Sequence, residues 1–341
     1  LAALVSTHLL FLMHSSAPTV SSDRTIFRRL LLLAFAGLAI LATLAAGCSR
    51  RKAPIVNHAA SRDRPLKIGI SFQELDNPYF VAMKQAFDEA GNSLGAQLFV
   101  TDARHDVTKQ ISDVEDLVQK GVDILLLNPT DSVGIESAVR TAKQAGVVVV
   151  TVDAQANGPV DAFVGSKNYD AGLLAGEYLG RTLGGKGAVA ILDGIPVVPI
   201  LERVRGFKDG IAKYPGIKLV DTQNGRQERS VALSVTENLL QAHPDLKGLF
   251  SVNDGGALGA LAAIQSSGRD VALVSVDGLA EVVAAIVAGG PFKATVAQFP
   301  RDQIRIALGI ALAKHWGANV PREIPIDVKL LTPENARGFS W

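Results

Sequence analysis

From Leu66 onward, short apolar runs alternate with segments in which apolar residues recur every three or four positions. The runs are Leu66 to Ile70, Gln97 to Val100, Asp123 to Leu127, Val147 to Val152, Ala188 to Leu192, Ile217 to Val220, Gly248 to Val252, Val271 to Val276 and Ala294 to Ala297. Their apolar character is continuous rather than alternating, which predicts strands buried on both faces and so a parallel sheet. Between them, Phe80-Val81-Met83-Lys84-Ala86-Phe87-Ala90 and Ile111-Val114-Leu117-Val118 carry the spacing of helices that cover a sheet. Repeated strand–helix units with right-handed crossovers predict an α/β fold with doubly wound sheets. A barrel of eight units is the competing architecture. A loose internal symmetry speaks for two lobes instead. Val147 to Val152 and Val271 to Val276 both end in an aspartate, Asp153 and Asp277, and both follow a helix-like segment that closes near a glycine, Gly146 and Gly268. The polar stretch Asp153 to Asn168 shows no helical period and is expected to cross between two sheets.

The N-terminal region follows a different pattern. Arg28-Arg29 precedes seventeen uncharged residues, Leu30 to Ala46, and then Gly47-Cys48. A charged start, an apolar middle and a small-residue end describe an export signal. Leu44-Ala45-Ala46-Gly47-Cys48 resembles the lipobox of bacterial lipoproteins, with alanine at 45 where leucine is commoner; the resemblance implies lipidation of Cys48. The alternative is an uncleaved signal anchor with an inert cysteine. Either one places the remaining chain outside the cytoplasm. Residues 1–12 precede the first methionine, Met13, and read as an over-extended start; residues 48–65 read as a polar tether.

Composition narrows the function. Lys+Arg 34 against Asp+Glu 33, with no basic run, leaves no electrostatic footprint for nucleic acid. A single cysteine excludes a disulfide framework and cysteine-rich metal sites. The histidines, His8, His14, His58, His105, His243 and His315, show no paired spacing, so neither a metal nor a cofactor is expected. Asp153 to Val164 starts like a calcium loop but has Gln155 at its third position and Val164 at its twelfth. Gly184-Gly185-Lys186-Gly187 precedes a strand, which makes it a turn and not a phosphate cradle. No nucleophile–base set can be assembled, so the chain is not expected to be an enzyme.

Polar side chains gather where the strands stop: Asn77, Asp153, Asn253-Asp254, Asp277 and Gln298. Taken singly, Asn77 before Pro78 is a helix cap, and Asn253-Asp254 caps the helix beginning near Gly255. Ligands of open α/β sheets bind outside the carboxyl ends of strands, however, where carboxylates and amides suit a hydroxyl-rich molecule.

Several stretches in this order resemble the periplasmic ribose-type sugar-binding proteins, the type I solute-binding proteins of ABC transporters. They are Asp76-Asn77-Pro78-Tyr79-Phe80, Leu125 to Asp131, Glu202 to Phe207, His243-Pro244-Asp245, Asn253 to Ala260 and Ala294 to Gln298. The resemblance, over Leu66 to Leu331, implies the periplasmic binding protein type I fold: two doubly wound parallel-sheet lobes joined by three crossing segments, near Ser166, Gln298 and Asp327. The N-terminal lobe would be 66–166 plus 299–327 and the C-terminal lobe 167–298 plus 328–341, closing on ligand by hinge motion. The family's sugar contacts fall on Asn77, Tyr79, Phe80, Asp153, Arg203, Asn253, Asp277 and Gln298. Trp316 and Trp341 lie outside that set.

Where ribose binders follow the strand-end aspartate with arginine, this chain has Ala154. Polar Gln227 and Val276 stand where aromatics are expected, and two extra residues between Ser71 and Asn77 place Gln73 or Glu74 where a serine contact would be. These departures point away from ribose itself, toward another pentose, a hexose, a polyol or a related furanose. The implied protein is a monomeric, lipid-anchored receptor that delivers a sugar to an ABC permease. The alternative is a sensor that presents its closed form to a membrane receptor kinase.

Overall fold

The computed structural model describes residues 64–341. The expected export leader, Cys48 and residues 48–63 of the expected tether lie outside the described residues. The first sheet collects β1 (Lys67–Phe72), β2 (Gln97–Asp102), β3 (Ile124–Leu127), β4 (Val148–Val152) and β5 (Ala162–Ser166). Between these strands run α1 (Pro78–Ser93), α2 (Val107–Gln119) and α3 (Glu136–Gln144). The second sheet is built from β6 (Lys186–Asp193), β7 (Gly216–Asn224), β8 (Leu246–Ser251), β9 (Ala272–Asp277) and β10 (Phe292–Ala297). Its helices are α4 (Asn168–Thr182), α5 (Val198–Ala212), α6 (Arg229–Ala242), α7 (Asp254–Ser267) and α8 (Ala280–Ala288). The chain then returns through α9 (Pro300–His315), adds β11 (Glu323–Ile326) to the first sheet and β12 (Lys329–Leu331) to the second.

The strand orders are β11-β5-β4-β3-β1-β2 and β12-β10-β9-β8-β6-β7. Each sheet therefore reverses direction beside its first strand, and the two orders superimpose position for position. Among the described strands only β12 runs antiparallel to its neighbour, β10. Buried side chains on one face of the first sheet pack under α1 and α9, and those on the other under α2 and α3. In the second sheet α4 and α5 cover one face and α6 to α8 the other. Continuous apolar runs serve both faces at once: in β9, Val274 and Val276 join the α4/α5 side while Leu273 joins the other, so a strand apolar at every position is what two covered faces require.

Three strands were not expected from the pattern. The stretch Asp153 to Asn168, expected as a crossing, contains β5, five residues that are all buried. The chain leaves the first sheet only at Lys167, passes back over 298–299 and crosses again over 327–328. There it adds the short β12 to the second sheet. β11 carries Pro325 and sits at a sheet edge, where a missing N–H costs no ladder bond.

One helix contact sets up the site. A Cβ on Gly172 of α4 would lie 1.9 Å from the Arg203 carbonyl oxygen, and one on Gly206 of α5 would lie 2.0 Å from the Tyr169 carbonyl oxygen. Only glycine lets these two backbones touch, and their contact fixes where α5 carries Arg203.

Candidate ligand-binding site

Between the carboxyl edges of the two sheets lies a cavity of about 30 Å³. Gln73, Asn77, Tyr79, Phe80, Asp153 and Ala154 line it from β1, α1 and β4, and Arg203, Gln227, Asn253, Asp277 and Gln298 from the second sheet's elements and their connections. Of the positions singled out in the sequence, eleven therefore meet here, while Glu74 and Asp254 lie outside the lining. Val276 lies outside it too: it is fully buried and belongs to the apolar layer beneath α4 and α5. Alternation along β9 turns it away from the face that meets Asp277's surroundings. Val197, Pro199 and Ile200, at the start of α5, add an apolar wall that sequence reasoning did not single out.

Local backbone chemistry delivers these groups. Asn77 and Asn253 cap α1 and α7, accepting from the Tyr79 N–H at 3.0 Å and the Gly256 N–H at 3.0 Å. Both also line the cavity, so the capping and site roles coincide. Asp153 and Asp277 take φ of 68° and 138°, conformations that favour glycine, at the ends of equivalent strands. Backbone strain of this kind persists where the surroundings over-determine it.

Tyr79 Oη donates to Asp153 at 3.1 Å, and Asn128 Nδ2 donates to the same carboxylate at 3.3 Å. Burial pushes the Asp153 carboxyl up to about 6, against the pull of the Arg203 charge and the Tyr79 bond. Across the cavity, Arg203 donates from Nη1 to Asp277 at 3.3 Å and to the Val252 carbonyl at 2.8 Å, and from Nε to Asn168 Oδ1 at 2.8 Å. Gln298 Nε2 and the Asp254 N–H complete the Asp277 shell at 2.8 and 3.2 Å. Burial raises the Asp277 carboxyl, while Arg203 and Gln298 oppose the rise. Asp254, buried behind it, accepts from Ser275, Thr295 and the N–H groups of Gly278 and Leu279, and burial with the Asp277 charge pushes it up to about 7.

Gln298 Oε1 is buried with no hydrogen-bond partner. An acceptor left this way in a polar cavity is matched by a donor on a ligand or an ordered water. The cavity as it stands has room for roughly two water molecules, so a larger molecule requires the walls to separate.

Three further residues tie the site to the crossings, and their contacts come from elements distant in sequence. Gln303 on α9 donates to Tyr79 Oη at 2.9 Å and to Ser166 Oγ at 2.8 Å. Asn168, the first residue past the Lys167 crossing, holds Arg203. Trp341 meets the Tyr79 ring edge-on at 5.9 Å between centroids, donates from Nε1 to the Asp277 carbonyl at 3.3 Å, and packs against buried clusters of both sheets. It therefore touches the site it was expected to lie outside.

The extended β1–α1 loop divides its two polar residues. Gln73 faces the cavity. Glu74 turns to His105, 2.8 Å away, with Asp76 4.0 Å from the same nitrogen. Burial, then Asp76, pushes the Glu74 carboxyl up to about 9. This grouping of one histidine and two carboxylates was not visible as a spacing in the sequence.

Two α/β units of matching strand order, meeting over a buried polar cavity at their carboxyl edges, define a two-lobed solute-binding architecture. The family model described as "Periplasmic binding protein domain" matches residues 68–316, and the chain belongs to that family. Membership implies an extracytoplasmic location. The chain is 40% identical over 267 residues to the ribose import binding protein of Bacillus subtilis, covering 78% of this chain and 87% of that protein. Among solved structures it is similar to an ABC transporter solute-binding protein of Mycobacterium smegmatis with bound glycerol (TM-score 0.77, 35% identity, 80% of this chain and 96% of that one). A second is the Caulobacter myo-inositol binding protein bound to myo-inositol (TM-score 0.76, 30% identity, 81% and 96%). These relatives are binding proteins rather than enzymes.

Proposed function

We propose that the protein is a lipid-anchored extracytoplasmic receptor that binds a monosaccharide or polyol between two lobes and delivers it to an ABC permease. The lobes are 66–166 with 299–327, and 167–298 with 328–341, hinged near Ser166, Gln298 and Asp327. The observation that carries this is the convergence of Asp153, Arg203, Asn253, Asp277 and Gln298 on one buried cavity, with the Gln298 carbonyl oxygen unpaired. Carboxylates accept from the hydroxyls of a ring, and Arg203 and the amides donate to its oxygens. Tyr79 and Phe80 supply apolar surface for the C–H faces. The present bonds of Tyr79 to Asp153 and of Arg203 to Asp277 satisfy these groups until a ligand takes their place. Ala154 gives the ligand more room than an arginine there would leave, which favours a pentose, hexose, polyol or furanose other than ribose.

Thermal unfolding with a panel of such sugars tests the assignment. A ligand at a hundred times its dissociation constant adds about 2.7 kcal/mol to the native state, seen as a raised midpoint. One sugar should raise it and Asp277→Ala should abolish the rise; no response across the panel from folded protein would sink the assignment. Replacing Cys48 with serine should move the protein from the membrane fraction to the soluble one, which checks the anchor.

A further inference from the structure

Beside the ligand cavity, at the Lys167 crossing, lies a larger groove of about 350 Å³. That volume falls in the range of about 300–1,000 Å³ typical of small-molecule pockets. We propose that this groove is a second subsite, so that the protein accepts a neutral glycoside whose first ring occupies the cavity and whose second ring lies in the groove. The inference rests on the sugar-binding assignment above and extends it to a ligand class.

Continuity supports it first. Pro199 lines both spaces, and the chain runs from Asp153 and Ala154 in the cavity wall directly to Gln155 in the groove wall. At that junction Ala154 presents only a methyl group. Asn168 lines the groove while accepting from Arg203, which lines the cavity, so one hydrogen bond spans the partition.

Chemistry supports it next. Gln155 Oε1 is a buried acceptor with no hydrogen-bond partner. In a groove it suits a hydroxyl donor. The charged lining residues are Asp170, Glu202 and Glu323 against Lys167 alone; Glu202 is paired with Arg205 and Lys167 with Asp327, which leaves Asp170 and Glu323 as the excess. This excess of carboxylate repels a phosphate or uronate. Phe163 and Pro325 give the apolar surface on which the C–H face of a second ring packs.

The test is calorimetric titration of the purified protein with free pentoses, hexoses and polyols, and with the same rings joined glycosidically to a second neutral ring. Val198 lines the groove and not the cavity and is 37% exposed, so Val198→Trp fills the groove at a position that tolerates bulk. The two-ring form of the preferred sugar should bind at least tenfold more tightly than the free ring. Val198→Trp should erase that advantage while leaving free-ring affinity within about twofold. Free rings that bind while two-ring forms bind no better overturn the subsite and leave the sugar-binding assignment standing. So does an advantage that survives Val198→Trp. A phosphorylated ring that outcompetes the neutral glycoside overturns the neutral class. If neither one-ring nor two-ring probes bind to folded protein, the sugar-binding assignment itself fails and the subsite with it.

Discussion

The two sheets bring an aspartate to the same place in the same strand order, yet surround it differently. Asp153, after β4, is held by a phenol and an amide, both neutral. Asp277, at the end of β9, is held by a guanidinium, an amide and a backbone N–H. Neutral hydrogen-bond partners offset only part of the desolvation of a buried carboxylate, and a cation adds to that offset; Arg203 is bonded to Asp277 and acts on Asp153 through its charge alone. Burial raises both carboxyls, Asp153 to about 6 and Asp277 against the opposition of Arg203 and Gln298, so the lobes differ in the partner that holds each carboxylate and not in whether it is perturbed.

The largest test of this contrast removes the cation. Arg203→Ala strands Asp277 in a buried site, and breaking such a pair costs about 3–5 kcal/mol. Tyr79→Phe removes a neutral hydroxyl that donates to Asp153 and accepts from Gln303, and should cost about 1.5–3 kcal/mol. Denaturant unfolding of both variants checks the order; equal losses would erase the distinction between the lobes.

Acidity gives the next effect. Because the Asp153 carboxyl lies at about 6, above the ordinary carboxylate value of about 3.9, the folded ligand-free protein binds a proton there that the unfolded chain does not. The contribution of this group to stability is therefore full below about pH 4 and is lost as pH rises through about 6. Ligand affinity runs the opposite way, since the ionised carboxylate is the stronger acceptor for a hydroxyl donor: it should weaken, by at most about tenfold per unit, as pH falls below about 6. Calorimetry from pH 7.5 to 5 checks this, and Asp153→Asn should flatten the profile. A profile unchanged by Asp153→Asn would move the titrating group elsewhere.

The smallest effect concerns the caps. Asn77→Ala and Asn253→Ala each remove an N-cap bond worth about 1 kcal/mol. If the residues also meet ligand, both variants should lower affinity by more than that loss of stability explains, which parallel melting and titration would reveal.

Much of this site was legible because a strand apolar at every position makes its terminal polar residue conspicuous. Asp153, Asp277 and Gln298 stand out in that way, and Asn77 stands out by preceding Pro78. The fold's doubly wound character followed from the same continuity. β5 was not legible, since five residues containing a glycine, inside a polar stretch, carry too little pattern. Pro325 masked β11 by the rule that removes proline from central strands but not from edges. Val276 was misplaced because adjacency to Asp277 in sequence means opposite faces in a strand. Gln303, Asn168 and Trp341 reach the site through contacts set by tertiary packing, for which no local spacing exists.

The position of Trp341 turns the molecule into its own optical probe. Its indole is partly buried between Tyr79 and the Asp277 carbonyl, whereas Trp316 is 72% exposed and already in water. Separation of the lobes would wet one chromophore and leave the other's emission constant. Opening and closing can thus be followed in the unlabelled protein as a colour shift of a single residue against an internal standard.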